Sequence, residues 1–229
     1  MRVAFIATAR DAFLRPPDLA ARQKGKRDVQ LGSRGGSRTS LFPSKKNARA
    51  ADVAVFVPME SRLEQAYALC LERSPSVIAY RTQAIEVPVP GGRSHLPDFL
   101  ICDDGGRLFV REIKLDKTTL KKAYIEKTEW VRDHLALMGV DYQIIDRADL
   151  PSECEQKNLK RVHNSYASLP TALEIELVNS DLHARLPCTY SELVEAFGDI
   201  AKHLIFTGQL QIDWQRPLTP DTEVSKWMT

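Results

Sequence analysis

The chain is short of the residues that build the commonest small-protein metal and disulfide frameworks. It has four cysteines in 229 residues, Cys70, Cys102, Cys154 and Cys188, far apart and with no CxxC pair. That spacing excludes a thiolate zinc site of the usual kind. Cys70 and Cys102 sit inside apolar segments and read as buried core thiols, reduced as in a cytoplasmic protein. The five histidines show no HxH or HxxxH pair, so a histidine metal centre is not expected. No apolar run approaches the roughly 20 residues that a helix needs to span a bilayer. The start, Met1 to Phe13, is interrupted by Arg2, Arg10 and Asp11 and lacks a small-residue cleavage site, so it does not read as a signal peptide.

What is present is an ordinary globular composition, 43% apolar and 27% charged, in a length that suits one large domain or two small ones. The net charge is only +2, but it is unevenly spread. Arg10, Arg15, Arg22, Lys24, Lys26, Arg27, Arg34, Arg38, Lys45, Lys46 and Arg49 crowd the first fifty residues, against Asp11, Asp18 and Asp28. Gly32, Gly35, Gly36 and several serines share that stretch. A basic, Gly/Ser-rich arm is a poor core former and a good phosphate binder, so residues 1–50 are read as a nucleic-acid-contacting arm, with a short strand at Val3–Ala7.

The patterning beyond residue 50 predicts two domains. Leu63, Ala66, Tyr67, Cys70 and Leu71 recur at helical spacing between Met59 and Arg73, and Ser74-Pro75 ends that helix. Val77–Tyr80 and Ala84–Val89 read as strands, as do Pro97–Cys102 and Arg107–Leu115. A helix follows from about Thr118 to Met138, closed by Gly139, and then a strand at Tyr142–Ile145. This order is that of an α/β domain over 51–150, a mixed sheet flanked by helices. A polar segment, Pro151–Arg161, leads to a helical pattern around Val162–Val178. Thr189 and Glu192 form a capping box ahead of a helix ending at Gly198, and a second helix runs to Gly208. Gln209–Trp214 alternates as a half-buried strand, so residues 151–229 read as a mainly α, winged-helix-like domain.

The chemistry concentrates in a hairpin. Pro97-Asp98-Phe99-Leu100-Ile101 and Val110-Arg111-Glu112-Ile113-Lys114 flank the turn Asp103-Asp104-Gly105-Gly106. Side chains alternate along a strand, so Glu112 and Lys114 share a face. A three-residue loop brings Asp98 opposite Glu112. Two carboxylates and an amine on one patch suit metal-dependent phosphodiester hydrolysis. Mg²⁺ prefers carboxylate oxygens and water, activates the attacking water and stabilises the leaving oxygen. Asp98, Glu112 and the carbonyl of Ile113 are the candidate ligands. Lys114 is placed to orient the water or to stabilise developing charge. A third carboxylate comes from Glu60 or Glu64, which share a helix face, and physical grounds alone leave that choice open.

The set Glu64…Pro97-Asp98…Glu112-Ile113-Lys114 resembles the PD-(D/E)xK nuclease superfamily. Together with Glu60-Ser61-Arg62-Leu63-Glu64, Tyr80, Gln83, Trp130, Gly139-Val140-Asp141-Tyr142, Leu204–Leu210 and Pro217-Leu218, it is similar to the TnsA endonuclease family of heteromeric, Tn-seven-like transposases. The resemblance covers about residues 50 to 225. It implies a restriction-endonuclease-like core and Mg²⁺, with Mn²⁺ as substitute. It implies Glu64, Asp98, Glu112 and Lys114 as catalytic residues, and Glu64, Asp98, Glu112 and Ile113 around the metal. Glu64 takes the helix-acid position in preference to Glu60, and Glu112 stands where some members carry Gln. The implied partners are the double-stranded DNA of transposon ends, a DDE transposase subunit, TnsB, and an AAA+ regulator, TnsC. The implied activity is cleavage near the 5′ ends during DNA transposition. A stand-alone restriction or repair nuclease and a non-catalytic DNA-binding adaptor are the alternative readings.

Overall fold

The computed structural model describes residues 2–14, 32–34, 37–51 and 55–226. They divide into two units, Met1–Glu72 with Ser76–Leu150, and Arg73–Pro75 with Pro151–Thr229. In the first unit, helix α1 (Arg2–Leu14), strands β1 (Gly32–Arg34) and β2 (Ser37–Ser44), helix α2 (Lys45–Ala51), strand β3 (Val55–Met59) and helix α3 (Arg62–Arg73) come first. Strands β4 (Val77–Thr82), β5 (Val87–Val89), β6 (Arg93–His95), β7 (Phe99–Asp103) and β8 (Leu108–Ile113) follow, then helix α4 (Lys122–Ala136) and strand β9 (Asp141–Ile145).

The site rests on the four-stranded sheet β4-β7-β8-β9. Its first three strands are antiparallel neighbours, and β9 runs parallel to β8. A parallel pair needs a crossover, which α4 supplies. Alternation sends Leu100, Val110 and Tyr142 to one face, where they pack with Val131, Leu135 and Met138 around α4 and with Ala9 and Ala12 of α1. Burying each large apolar side chain of this kind stabilises the fold by about 1.5–3 kcal/mol. Phe99, one residue before Leu100, turns to the opposite face and meets Tyr67 of α3 edge-on, ring centroids 5.2 Å apart. The sheet is therefore mixed and flanked by helices, as the sequence predicts.

Among the described residues of the first fifty, the structure departs from the predicted arm. The strand expected over Val3–Ala7 lies within α1, because Phe5, Ala9 and Ala12 fall on one helical face and pack into the core. The guanidinium of Arg81 closes that helix, donating to the carbonyls of Ala12 (3.0 Å) and Phe13 (3.2 Å). Strand β2 pairs with β3 from Ser40↔Met59 to Ser44↔Val55, and Phe42 is buried. Buried Glu72 accepts from the Ser44 hydroxyl (2.6 Å), the Tyr80 hydroxyl (2.9 Å) and the Lys46 backbone N–H (3.2 Å). These bonds draw Ser44 and Lys46 into the domain in place of a free tail. Arg15, Arg22, Lys24, Lys26 and Arg27, the densest part of the predicted basic stretch, lie outside the described residues.

The second unit contains helices α5 (Glu153–Asn164) and α6 (Ala172–Ala184), strand β10 (Cys188–Thr189), helix α7 (Tyr190–Phe206) and strands β11 (Leu210–Gln211) and β12 (Glu223–Lys226). The strands form one antiparallel sheet in the order β10-β12-β11. The expected polar lead-in at Pro151–Arg161 is mostly helix. Ser152 caps α5, and Asn158, Leu159 and Val162 form its buried stripe. The apolar pattern expected over Val162–Val178 is broken between α5 and α6, where Pro170 stands just before the N-cap Thr171. The Thr189–Glu192 capping box is present, and Gly198 (φ 53, ψ −126) breaks α7 at the predicted point. All four cysteines are free and half-buried, so Cys70 and Cys102 are less enclosed than expected.

Candidate active site

The hairpin register decides where the first acid lies. Cys102 pairs with Leu108 and Phe99 with Arg111, so one further step sets Asp98 across from Glu112. Asp98 is joined to the second strand directly, since the backbone N–H of Ile113 donates to its Oδ2 at 2.7 Å. Beyond Ile113 the backbone keeps to β9 for one more bond, Lys114 N–H to the Ile145 carbonyl at 2.9 Å. That bond holds Lys114 in the extended geometry that turns its side chain to the face of Glu112.

Lys114 Nζ then lies among the atoms expected to bind a cation. It is 2.6 Å from Glu112 Oε1, 3.1 Å from the Ile113 carbonyl oxygen and 4.0 Å from Asp98 Oδ2. Glu112 is 4% exposed and gathers further partners. The Tyr124 hydroxyl donates to Oε1, and His95 Nε2 stands 3.2 Å from Oε2, a close approach short of good hydrogen-bond geometry. Lys127 Nζ lies 3.2 Å from the other imidazole nitrogen, Nδ1, and 4.2 Å from the centre of the Tyr124 ring.

The helix acids are arranged differently. Glu64 is buried at the start of α3, where its Oε2 accepts from the Glu60 N–H (2.9 Å) and its Oε1 from the Ser61 hydroxyl (2.8 Å). Ser61 Oγ accepts in turn from the Glu64 N–H at 3.1 Å, so this carboxylate caps its own helix. Its charge still acts on Asp98, and the charge of Lys114 acts on it. Glu60 Oε2 accepts from Gln83 Nε2 at 3.0 Å, and the Gln83 N–H donates to the Asp98 carbonyl at 3.0 Å. Gln83 thus links the helix start to the strand acid from a left-handed backbone (φ 48).

The two strand acids titrate in opposite senses. Burial, then the neighbouring Glu112 charge, pushes the Asp98 carboxyl up to about 7. Burial also acts to raise Glu112, but His95 and the Lys114 ammonium outweigh it and hold that carboxyl down at about 2. Burial raises Glu64. Burial and the Glu112 charge push the Tyr124 phenol far up, so it stays a neutral donor. Burial lowers Lys127.

The structure therefore brings Asp98, Glu112, Lys114 and the Ile113 carbonyl together. It keeps Glu64 engaged with Glu60 and Ser61, and among the described residues no group of three or more His, Cys, Asp or Glu side chains is placed to hold a metal. The donor set nevertheless fits Mg²⁺. Two carboxylates and a carbonyl are hard oxygens, Mg²⁺ keeps several waters, and an ammonium already occupies the position a cation would take. His95, Tyr124 and Lys127 are the site residues that sequence reasoning missed. The available signals were the placement of His95 three residues before Asp98 and the i, i+3 spacing of Tyr124 and Lys127 on α4. No family model and no curated protein matches the chain.

Proposed function

We propose that the chain is a Mg²⁺-dependent DNA endonuclease with a PD-(D/E)xK-type core, the TnsA-like subunit of a heteromeric transposase that cuts near the 5′ ends of the transposon. One observation carries the reading: a single lysine ammonium touches Glu112 and the Ile113 carbonyl and lies 4.0 Å from Asp98. Asp98, Glu112 and the Ile113 carbonyl hold the metal, which when bound supplies an activated water and stabilises charge on the leaving oxygen. Asp98 is kept in place by the Ile113 N–H. Lys114 presents a positive charge to the reacting phosphate and steadies the oxygen that becomes charged. Glu64 acts on the site through its charge from the start of α3.

The layout of the chain supports the wider reading. Helix α3 precedes the sheet and α4 crosses between parallel strands, as a restriction-endonuclease-like core requires. The break in α7 followed by the small sheet of the second unit suits a winged-helix-like domain. Double-stranded transposon ends are the substrate, with TnsB and TnsC as partners. The deciding experiment is cleavage of transposon-end DNA in Mg²⁺, with and without a DDE transposase subunit of the TnsB type. Cleavage at the 5′ ends that depends on the transposase and on Asp98 is the expected result. Efficient cutting by the chain alone points to a stand-alone nuclease. DNA binding without metal binding or cutting points to an adaptor.

A further inference from the structure

We propose that His95 is a positioning residue that selects which oxygen of Glu112 faces the cation, working through a closed ring of four side chains. The inference rests on the metal-dependent reading of this site. The ring runs from Lys127 Nζ to His95 Nδ1 (3.2 Å), from His95 Nε2 to Glu112 Oε2 (3.2 Å), from Glu112 Oε1 to the Tyr124 hydroxyl, and from the Tyr124 ring back to Lys127 Nζ (4.2 Å). His95 is 6% exposed and Glu112 4%.

The chemistry of the members fixes the direction of the ring. An ammonium has donors only, so Nδ1 of His95 accepts from Lys127. The imidazole proton then sits on Nε2. His95 Nε2 and Glu112 Oε2 are both buried, neither has a well-formed hydrogen bond, and they face each other. Pairing them satisfies both, whereas a buried polar atom left unmet is costly. With Oε2 committed to His95, Oε1 is the oxygen presented to the site, the one Lys114 Nζ touches at 2.6 Å. Two elements supply the tether. His95 ends β6, where it pairs with Val87 of β5, and Tyr124 and Lys127 lie one turn apart on α4. A glutamate carboxylate turns freely about its terminal bond, and this ring stops it.

Two measurements test the proposal. The first is ¹⁵N imidazole NMR of the metal-free protein. It is expected to show His95 as the Nε2-protonated tautomer, with the Nδ1 resonance displaced in Lys127→Met. An Nδ1-protonated His95, or a spectrum indifferent to Lys127→Met, overturns the tether. The second is Mn²⁺ binding by calorimetry. His95→Ala is expected to lose about 10–100-fold in affinity, the usual loss for a group that orients a metal ligand. His95→Gln is expected to recover most of it, since a glutamine amide can accept from Lys127 and donate to Glu112. Wild-type affinity in His95→Ala overturns the positioning role. Should His95→Ala fail to fold, Lys127→Met carries the calorimetric test: it is expected to bind Mn²⁺ more weakly than the wild type, and wild-type affinity overturns the positioning role. If the wild-type protein binds no Mn²⁺, the metal-dependent function and the positioning role fall together, while the NMR result still decides the tether.

Discussion

Ile113 and Asp98 are joined across the hairpin by a hydrogen bond from backbone to carboxylate, Ile113 N–H to Asp98 Oδ2 at 2.7 Å. The bond spends one Asp98 oxygen on the partner strand and fixes the carboxyl beside the Ile113 carbonyl, so the acid and the peptide oxygen arrive at the site as one rigid piece. A β-strand is well suited to this, because its backbone groups at a sheet end are held by the neighbouring strands.

Removing Asp98 separates chemistry from fold. On the proposed function, cleavage of transposon-end DNA by Asp98→Ala is expected to fall by about a thousandfold or more, the loss of several kcal/mol of transition-state stabilisation. Stability changes little, because losing the Ile113 hydrogen bond is offset by relieving a buried carboxyl whose pKa is pushed up to about 7. A single-turnover assay beside a thermal melt checks both, and undiminished cutting removes Asp98 from the site.

Lys114 touches Glu112 Oε1 and the Ile113 carbonyl, two of the proposed metal ligands, and on that proposal would compete with the metal for them. Lys114→Met is therefore expected to bind Mn²⁺ more tightly than the wild type by calorimetry while cutting DNA far more slowly. A fall in affinity would show that the ammonium assists metal binding and does not oppose it.

Gln83 gives a backbone test. Its φ of 48 is costly for any residue with a Cβ, while Gly adopts it freely. Gln83→Ala is expected to be less stable than Gln83→Gly by about 1 kcal/mol in denaturant titrations. Both lose the Glu60–Gln83 bond, so the difference isolates the backbone. Equal stabilities would mean that residue 83 relaxes out of the left-handed region.

Lys46 sets a pH dependence away from the site. Burial lowers its ammonium to about 8, with the Glu72 charge only partly compensating. Between about pH 8 and the ordinary 10.5 the unfolded chain holds a proton that the folded chain has released, so this group makes stability rise with pH in that window. Below pH 8 both states are protonated and the folded state carries the full penalty. Stability measured from pH 7 to 10.5 is expected to climb more steeply in the wild type than in Lys46→Met, and parallel curves would refute the assignment.

Local rules made parts of this protein legible. Turn length sets hairpin register, so the pairing of Asp98 with Glu112 followed from Asp103-Asp104-Gly105-Gly106 and the strand period. The Thr189–Glu192 box and the break at Gly198 followed from capping geometry and the freedom of glycine. Short apolar runs without such punctuation were ambiguous between helix and strand. Residues 3–7 took the helical form because Phe5, Ala9 and Ala12 found the sheet core and Arg81 found the helix end.

By itself, then, the sequence determined the hairpin, its two acids and its lysine, since each depends on neighbours a few residues away. Tertiary structure alone decided what surrounds them. It tied Gln83 to Asp98 and closed His95, Tyr124 and Lys127 around Glu112, whereas the contacts of Glu64 to Glu60 and Ser61 are local to the start of α3. The contacts around Glu112 join residues from separate elements whose side chains meet only when α4 and the β5–β6 ribbon pack against the sheet. Burial then sets which polar groups must find one another.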